Sequence, residues 1–509
     1  MFTERDVNSD GGAGHAKPVA VVIGSGFGGL AAAVRLGARG YAVKVLERLD
    51  APGGRGYQHH VDGFTFDAGP TIITAPFLFE ELWSLCGRRL ADDVDLRPMD
   101  PYYKIRFHNG DTFTYRGDRA EMRAEVERFA PGEGENYDAF LAMSESIYRI
   151  GFEKLGDTPF NSVFDMLRVA PDLLRLQGYR SVYGLVSTFF KDERLRTIFS
   201  YHPLLIGGDP FRASSIFCLI AFLEKSFGVH SAIGGTGALA RGLVSLIEGQ
   251  GGEIRYGADV RQILVENGKA VGVELTDGER LRAAIVVSNA DSAWTYRNLV
   301  PASARRRWTN AKLDRAKYSM GLFVWYFGVN RRYDDIGHHT ILMGPRYRDL
   351  LKDIFRRKVL AADFSLYLHR PTATDPSVAP EGCDTFYALS PVPNLQGGQD
   401  WAIEAEAYRK RIEMWLEANV LPDLSKHLVV SKVTTPVDFQ LRLNATHGEG
   451  FGLEPLLTQS AWFRPHNRSE DVENLFLVGA GVHPGAGLPG VLSSARVLDK
   501  VAPHASAFV

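Results

Sequence analysis

The chain has 509 residues, 45% hydrophobic and 23% charged, with a formal net charge of −2. That length exceeds one ordinary core and predicts two packed domains of globular type. The balanced charge excludes an electrostatic footprint for nucleic acid. Cys86, Cys218 and Cys383 are too scattered for a disulfide framework or a zinc motif, which fits a reducing cytoplasm.

Residues 1–16 are polar and glycine-rich without an apolar h-region, and read as a disordered tail rather than a signal peptide. No apolar run reaches ~18 residues, so no membrane-spanning helix is expected. Val19 to Ile23 reads as a strand that enters Gly24-Ser25-Gly26-Phe27-Gly28-Gly29. A helix rich in small residues (Ala31, Ala32, Ala33) follows, then a second strand ending at Glu47. The first glycine permits the turn, the second lets backbone approach a pyrophosphate, and the third packs helix on strand. Glu47 stands where a carboxylate accepts ribose hydroxyls, and an acid there favours an unphosphorylated ribose. Glycines alone are a weak signal; strand, helix and acid together predict a bound dinucleotide.

From Glu80 to Ser226 the apolar spacing is mostly helical and reads as an insertion of different character. Leu239, Leu243, Leu246 and Ile247 then form one face of a helix ended by Gly249, Gly251 and Gly252. Strands are predicted at 253–256, 260–266 and 270–275, with Asn267-Gly268 and Asp277-Gly278 as tight turns of a meander. Leu281 to Ala290 reads as one buried strand ending in Ser288-Asn289-Ala290.

Beyond Met320 the strand signals are aromatic, and Leu322 to Phe327 suits either a long apolar tunnel or plain core. His338-His339 suggests a metal only superficially, since no further ligand lies at helical spacing; a turn or strand-edge pair is expected, and no metal. Tyr347, Leu350, Leu351, Ile354 and Phe355 form an apolar stripe ringed by Arg346, Arg348, Lys352, Arg356, Arg357 and Lys358. This stripe suits an anionic membrane surface or packing on its own domain, and the first is the expectation. A helix is predicted over 402–418. Near the C-terminus the apolar run Leu475–Val478 precedes five glycines and two prolines within twelve positions, then the start of a helix. Glycines at a strand-to-helix junction form a second ligand-facing turn.

The fold class expected is α/β: a three-layer nucleotide-binding domain with a second domain inserted into it. The discontinuous boundaries are 17–79, 227–312 and 437–509 for the first domain, and 80–226 and 313–436 for the second.

Gly53-Gly54-Arg55, Asp67-x-Gly69-Pro70 and the C-terminal turn distinguish FAD from NAD, and together resemble the FAD family of amine oxidases, protoporphyrinogen oxidases and carotenoid desaturases. Val478-Gly479-Ala480-Gly481-Val-His483-Pro-Gly-Ala-Gly-Leu488-Pro489-Gly490 is similar to the bacterial phytoene desaturases. So are Phe199-Ser-Tyr-His-Pro-Leu-Leu-Ile-Gly-Gly-Asp-Pro210, Ser365-Leu-Tyr-Leu-His369, Ala379-Pro-Glu-Gly382, Leu389-Ser-Pro-Val-Pro393 and Gln459-Ser-Ala-Trp-Phe-Arg-Pro-His466, and the likeness spans Val19 to Val501.

This resemblance implies a three-layer FAD-binding domain of glutathione-reductase type with an inserted α+β domain for substrate and membrane, FAD as the bound cofactor, and 15-cis-phytoene and partly desaturated carotenes as substrates, desaturated stepwise to neurosporene or lycopene. Oxygen and a quinone remain equally open as electron acceptor, and the implied location is cytoplasmic, on the inner membrane surface. Alongside the turn residues, Arg48, Thr71 and Val260 are assigned to the cofactor, and His483 is placed beside it. Relatives carry an acid in the C-terminal turn; here Gly479-Ala480-Gly481 leaves the contact to backbone, with the helix near Leu488 and Pro489 facing the ring. The resemblance names Asp165 and Arg168, one helical turn apart, as the suspected acid/base pair, against which stands a simple surface ion pair. Two other readings stand beside this one: another carotenoid flavoenzyme (later-stage desaturase, isomerase or ketolase), and a non-catalytic prenyl-lipid carrier.

Overall fold

The computed structural model describes residues 17–508, so the tail expected over 1–16 lies outside the described residues. Three distant segments build a five-stranded parallel sheet in the order Leu475–Leu477, Ile285–Ser288, Val19–Ile23, Ala42–Leu46, Glu253–Arg255. Its inner strands are continuous apolar runs because both faces are covered, as parallel sheets require. Alanines and glycines in the helix Phe27–Ala38 let it lie close to the helices Gly235–Gly249 and Leu488–Val501.

An antiparallel meander, Val260–Glu266, Lys269–Leu275 and Arg280–Arg282, covers one side of this sheet. The single strand expected from Leu281 to Ala290 is therefore two. Arg280 and Arg282 stay at the exposed edge, paired with Glu274 and Glu266, while Ile285–Ser288 is fully buried and crosses into the parallel sheet. Charge at one end and apolar residues at the other divide the run.

The second sheet has seven strands in the order Leu428–Thr434, Gly321–Val329, Asp384–Val392, Leu366–His369, His339–Met343, Tyr103–Phe107, Thr112–Tyr115. Gly321–Val329 is buried throughout and its side chains alternate between two faces. Phe323, Trp325 and Phe327 form core beneath the helix Trp401–Asn419, while Leu322, Val324 and Tyr326 face the other way. Tyr103–Phe107 and Thr112–Tyr115 come from the stretch read as mostly helical. Each is four or five residues long, too short for periodicity to separate from a helix turn.

The histidine pair stands at a strand end, one of the two places expected, but not alone: His338 lies in a bend and His339 opens its strand, in register with His369. Ring nitrogens of His338, His339 and His369 lie within 4.8 Å of one another, with His338 Nε2 3.1 Å from His369 Nε2. Burial pushes all three imidazoles down, His338 to about 4, and keeps them neutral. The third member comes from the neighbouring strand, beyond the reach of a local spacing rule.

The apolar stripe at 347–355 is not a membrane face. Leu350, Leu351, Ile354 and Phe355 are each at most 5% exposed and pack against Tyr326, Met320 and Phe439. Its basic rim is spent locally: Arg357 pairs with Asp353, Lys352 with Asp349, and Arg348 lies over the rings of Tyr183 and Phe211.

One buried ion pair pins the far end of the sheet. Arg370 donates to Asp384 at 2.9 Å, and Asp384 also accepts from Thr372 Oγ1 and Tyr333 N. Asp384→Ala leaves Arg370 with the exposed Asp334 and the Ile336 carbonyl, and should lower stability by about 3–5 kcal/mol. Chemical denaturation of the variant checks this; a loss below about 1 kcal/mol would assign the pinning to Asp334.

Candidate active site

The first turn bends sharply at Gly24, whose φ is +89°, and its N–H donates to the Leu46 carbonyl at 2.8 Å. A Cβ on Gly29 would stand 2.1 Å from the Gly24 carbonyl, so only hydrogen lets the helix start there. A Cβ on Gly28 would reach 2.9 Å from Gly479 N and Cα, so the two glycine turns touch each other. Asn289 is wedged between them, its side-chain amide 2.8 Å from a Cβ built on Gly26 and 2.6 Å from one on Gly479. A third turn joins here, as Gly53 N donates to the Ser25 carbonyl at 2.9 Å.

Glu47 is buried at the end of its strand. It accepts from Ser25 N and Oγ at 2.8 and 2.7 Å, and from Leu49 N at 2.8 Å. Arg48 reaches Asn444 Oδ1 and the Leu441 carbonyl. Arg55 has buried Nε and Nη2 atoms with no hydrogen-bond partner. Such donors are costly to bury unpaired, and beside a glycine cradle they fit an anionic phosphate. The residues present therefore suit a dinucleotide.

Ala68 to Thr71 is held by the second sheet. Tyr326 OH donates to the Ala68 carbonyl and Tyr387 OH to the Gly69 carbonyl, while Thr71 Oγ1 lies 2.9 and 3.0 Å from Tyr367 and Tyr387 OH. Gly69 has no room for a side chain, because a Cβ would lie 2.3 Å from the Arg55 carbonyl.

A cavity of about 530 Å³ runs from these turns towards the seven-stranded sheet. Gly24, Gly26, Phe27, Gly28, Glu47 and Arg48 line its nucleotide end, with Val260 beside them. Gly54, Arg55, Gly69, Pro70 and Thr71 line its middle, opposite Gly479, Ala480, His483, Leu488 and Pro489. Ser25, Gly29 and Gly481 stand behind the wall: Ser25 holds Glu47, Gly29 packs on Gly24, and a Cβ on Gly481 would hit Ser292 Oγ at 2.4 Å. Of the aromatic strand, Leu322 alone faces the cavity and the remainder of Leu322–Phe327 is core.

His483 reaches from the C-terminal turn to the segment before the helix Val163–Arg175, its Nε2 2.9 Å from the Leu155 carbonyl and its ring edge-on to Phe160. Burial pushes its imidazole down to about 4. Asp165 and Arg168 are not brought to the cavity. Asp165 caps the helix Val163–Arg175 by accepting from Ser162 N at 2.9 Å, and Arg168 is exposed. Among the described residues the two form no ion pair with each other, whereas Met166, Val169 and Leu173 of the same helix do line the cavity.

Three residues escaped the sequence reasoning. Asn289 carried one signal, its place at the end of a buried strand. Asp291 caps a short helix through Trp294 N and accepts from Thr446 Oγ1, lying 3.6 Å from a Cβ built on Gly452, which also neighbours Gly481. Arg464 is fully buried, donates to the Leu453 carbonyl, and is lowered to about 10 by burial.

Nucleotide turns, an acid at the ribose position and an apolar chamber beyond define a flavoprotein oxidoreductase. The model of the flavin containing amine oxidoreductases matches residues 27–497. A neurosporene-forming phytoene desaturase from Cereibacter sphaeroides is 51% identical over 491 residues, covering 96% of this chain and 95% of that one. A lycopene-forming phytoene desaturase from Pantoea ananas is 48% identical, over 93% and 97% of the two chains. An all-trans-zeta-carotene desaturase from Myxococcus xanthus is 34% identical, over 94% and 92%. Putrescine oxidase bound to putrescine shares the fold at a TM-score of 0.64 and 14% identity, over 96% and 99% of the two chains. The chain belongs to the phytoene desaturases of the flavin-containing amine oxidoreductase family, and its cofactor is FAD.

Behind the C-terminal turn an acid pair makes stability pH-dependent. Burial first, and the charge of Asp291 second, push the Glu449 carboxyl up to about 8 from an ordinary 4.5. Because the folded value is raised, the contribution of the neutral acid is complete below 4.5 and is lost as pH rises through about 8. Glu449→Gln removes this dependence. The melting temperature of the variant relative to the parent should rise between pH 5 and pH 9; a constant difference would place the buried proton elsewhere.

Proposed function

We propose that this chain desaturates 15-cis-phytoene and its partly desaturated products, towards neurosporene or lycopene, with oxygen or a quinone as final electron acceptor. The observation that carries this reading is the cavity that continues from the glycine turns into an apolar wall of the second domain. FAD supplies a ring that takes a hydride from an allylic carbon. Glu47 and the Gly24–Gly29 turn would hold the adenosine and pyrophosphate, with Arg55 neutralising phosphate charge. The N-terminus of Leu488–Val501 would favour negative charge at the ring. The domain around the seven-stranded sheet, with its inserted helices, serves as the substrate domain. Leu219, Leu223, Met343 and Leu389 give the polyene an apolar bed and exclude water.

Asp165 is a helix cap and Arg168 a surface cation in this reading, so the proton leaving the substrate goes to another group. The intact turns and the unpartnered Arg55 weigh against a non-catalytic carrier. Liposomes containing 15-cis-phytoene and FAD-loaded enzyme should turn yellow to red without nicotinamide, the conjugated chain lengthening in discrete steps. Unchanged phytoene alongside consumption of zeta-carotene would replace this reading with a later-stage desaturase.

Among the described residues no helix is long and apolar enough to cross a membrane. The helix Val163–Arg175 replaces the 347–355 stripe as the membrane-facing element. Phe164, Leu167 and Leu174 are 71%, 61% and 65% exposed, beside exposed Arg168, Arg175 and Arg180, while its other face lines the cavity. Apolar residues ringed by arginines suit the headgroup boundary of an anionic bilayer, where a carotene dissolves. Phe164→Glu combined with Leu167→Glu should reduce flotation with anionic liposomes roughly tenfold or more, since each buried apolar side chain is worth about 1.5–3 kcal/mol. Activity on detergent-dispersed phytoene should persist. Unchanged flotation would move the membrane face elsewhere.

A further inference from the structure

Four carboxylates line the cavity, and three have evident roles or places. Glu47 and Asp259 flank Arg48 at the ribose end, and Asp291 caps a helix. The fourth, Glu224, lies in the second domain on the helix Leu219–Phe227, between apolar neighbours Leu219, Ile220 and Leu223 that line the same wall. It is completely buried. Tyr103 OH donates to its Oε1 at 2.7 Å, and His202 Nε2 lies 3.2 Å from its Oε2. Among the described residues no lysine or arginine pairs with it.

A carboxylate held against an apolar chamber with no lysine or arginine beside it, its one basic neighbour being the His202 imidazole, is expensive to bury. A hydrocarbon offers it nothing in return, because a polyene has no charge and no hydrogen-bonding group in its ground state. The one moment at which this substrate carries charge is during desaturation, when loss of hydride leaves an allylic cation. Interactions realised only at that moment accelerate the chemical step.

We propose that Glu224 is a catalytic residue that stabilises this cation and then accepts its proton, an inference that rests on the desaturation reading above. A C–H bond breaks with its electron pair leaving as hydride to FAD, and the carbon becomes cationic. The C–H bond on the neighbouring carbon then breaks, its electron pair forms the new C=C bond, and the proton forms an O–H bond with Glu224. The substrate is oxidised by two electrons and FAD is reduced by two. The proton and hydride both end on the electron acceptor, which resets the carboxylate. A cation is so strong an acid that the acceptor need not be a strong base. Tyr103 and His202 position the oxygens, and the tyrosine proton keeps one oxygen satisfied while the other takes up the new bond.

The test pairs binding with turnover. Geranylgeranyl dimethylamine, protonated at neutral pH, stands in for the cation, and geranylgeraniol is its neutral counterpart. The FAD-loaded parent should bind the amine at least about tenfold more tightly than the alcohol. Glu224→Gln, which keeps the shape and an acceptor for Tyr103 OH, should erase that preference, leave alcohol and FAD affinity unchanged, and lower kcat roughly a hundredfold or more. Glu224→Asp should recover part of both. A parent enzyme without preference for the amine overturns the proposal whether or not the variants fold. So does a Glu224→Gln variant that retains either the preference or the parental kcat. If the parent prefers the amine and Glu224→Gln does not, but neither desaturates phytoene or zeta-carotene, the desaturation reading fails while the cation-binding site stands.

Discussion

The contact between Gly28 and Gly479 is the constraint on which the rest depends. A single added carbon on Gly28 would collide with the Gly479 backbone, and one on Gly479 would collide with the side chain of Asn289, which fills what space remains. Backbone at van der Waals distance means that the amide groups of two turns face one region, which neither turn achieves alone. Everything needed for a dinucleotide follows from this approach: the small residues of the first helix, the bend at Gly24 and the position of the last helix. Ångström-level proximity explains why glycine, and not merely a small residue, occupies both places.

Around that contact, the two sheets and the segments beside them hold each other's part of the site. The parallel sheet presents Glu47 and the turns, yet Ala68 to Thr71 is held by tyrosines of the seven-stranded sheet. His483 reaches the other way and anchors on Leu155. The cavity is a seam whose two sides are hydrogen-bonded to each other, so relative motion of the domains would disturb cofactor and substrate surfaces together.

Much of this was legible from residue order, and the boundary of legibility is physical. The Val19–Glu47 unit and the meander could be read because their partners are sequence neighbours and their turns have strong chemistry. The pairing of Val19–Ile23 with Ile285–Ser288, and of the latter with Leu475–Leu477, has no local signature, although the glycine turns hinted at it. Amphipathic pattern identified the 347–355 stripe but not what covers it, since a core face and a membrane face have the same periodicity. Glu224 gave no sign for a similar reason, and Asn289 only its place at a strand end: one polar residue among apolar ones gains meaning from what lies across the cavity. The Asp165–Arg168 spacing was real, but a capping box uses the acid.

The strand order also bears on how the protein is made. Ile285–Ser288 and Val19–Ile23 can pair as soon as both have left the ribosome, but their outer neighbour Leu475–Leu477 is 187 residues further on, the distance from 288 to 475. At about 5–20 residues per second, an apolar sheet edge stays unpaired for roughly ten to forty seconds during each round of synthesis. Such an edge is a template for pairing with a neighbouring nascent chain. Cover of that edge by chaperones during synthesis therefore bears on how much of the chain reaches the folded state.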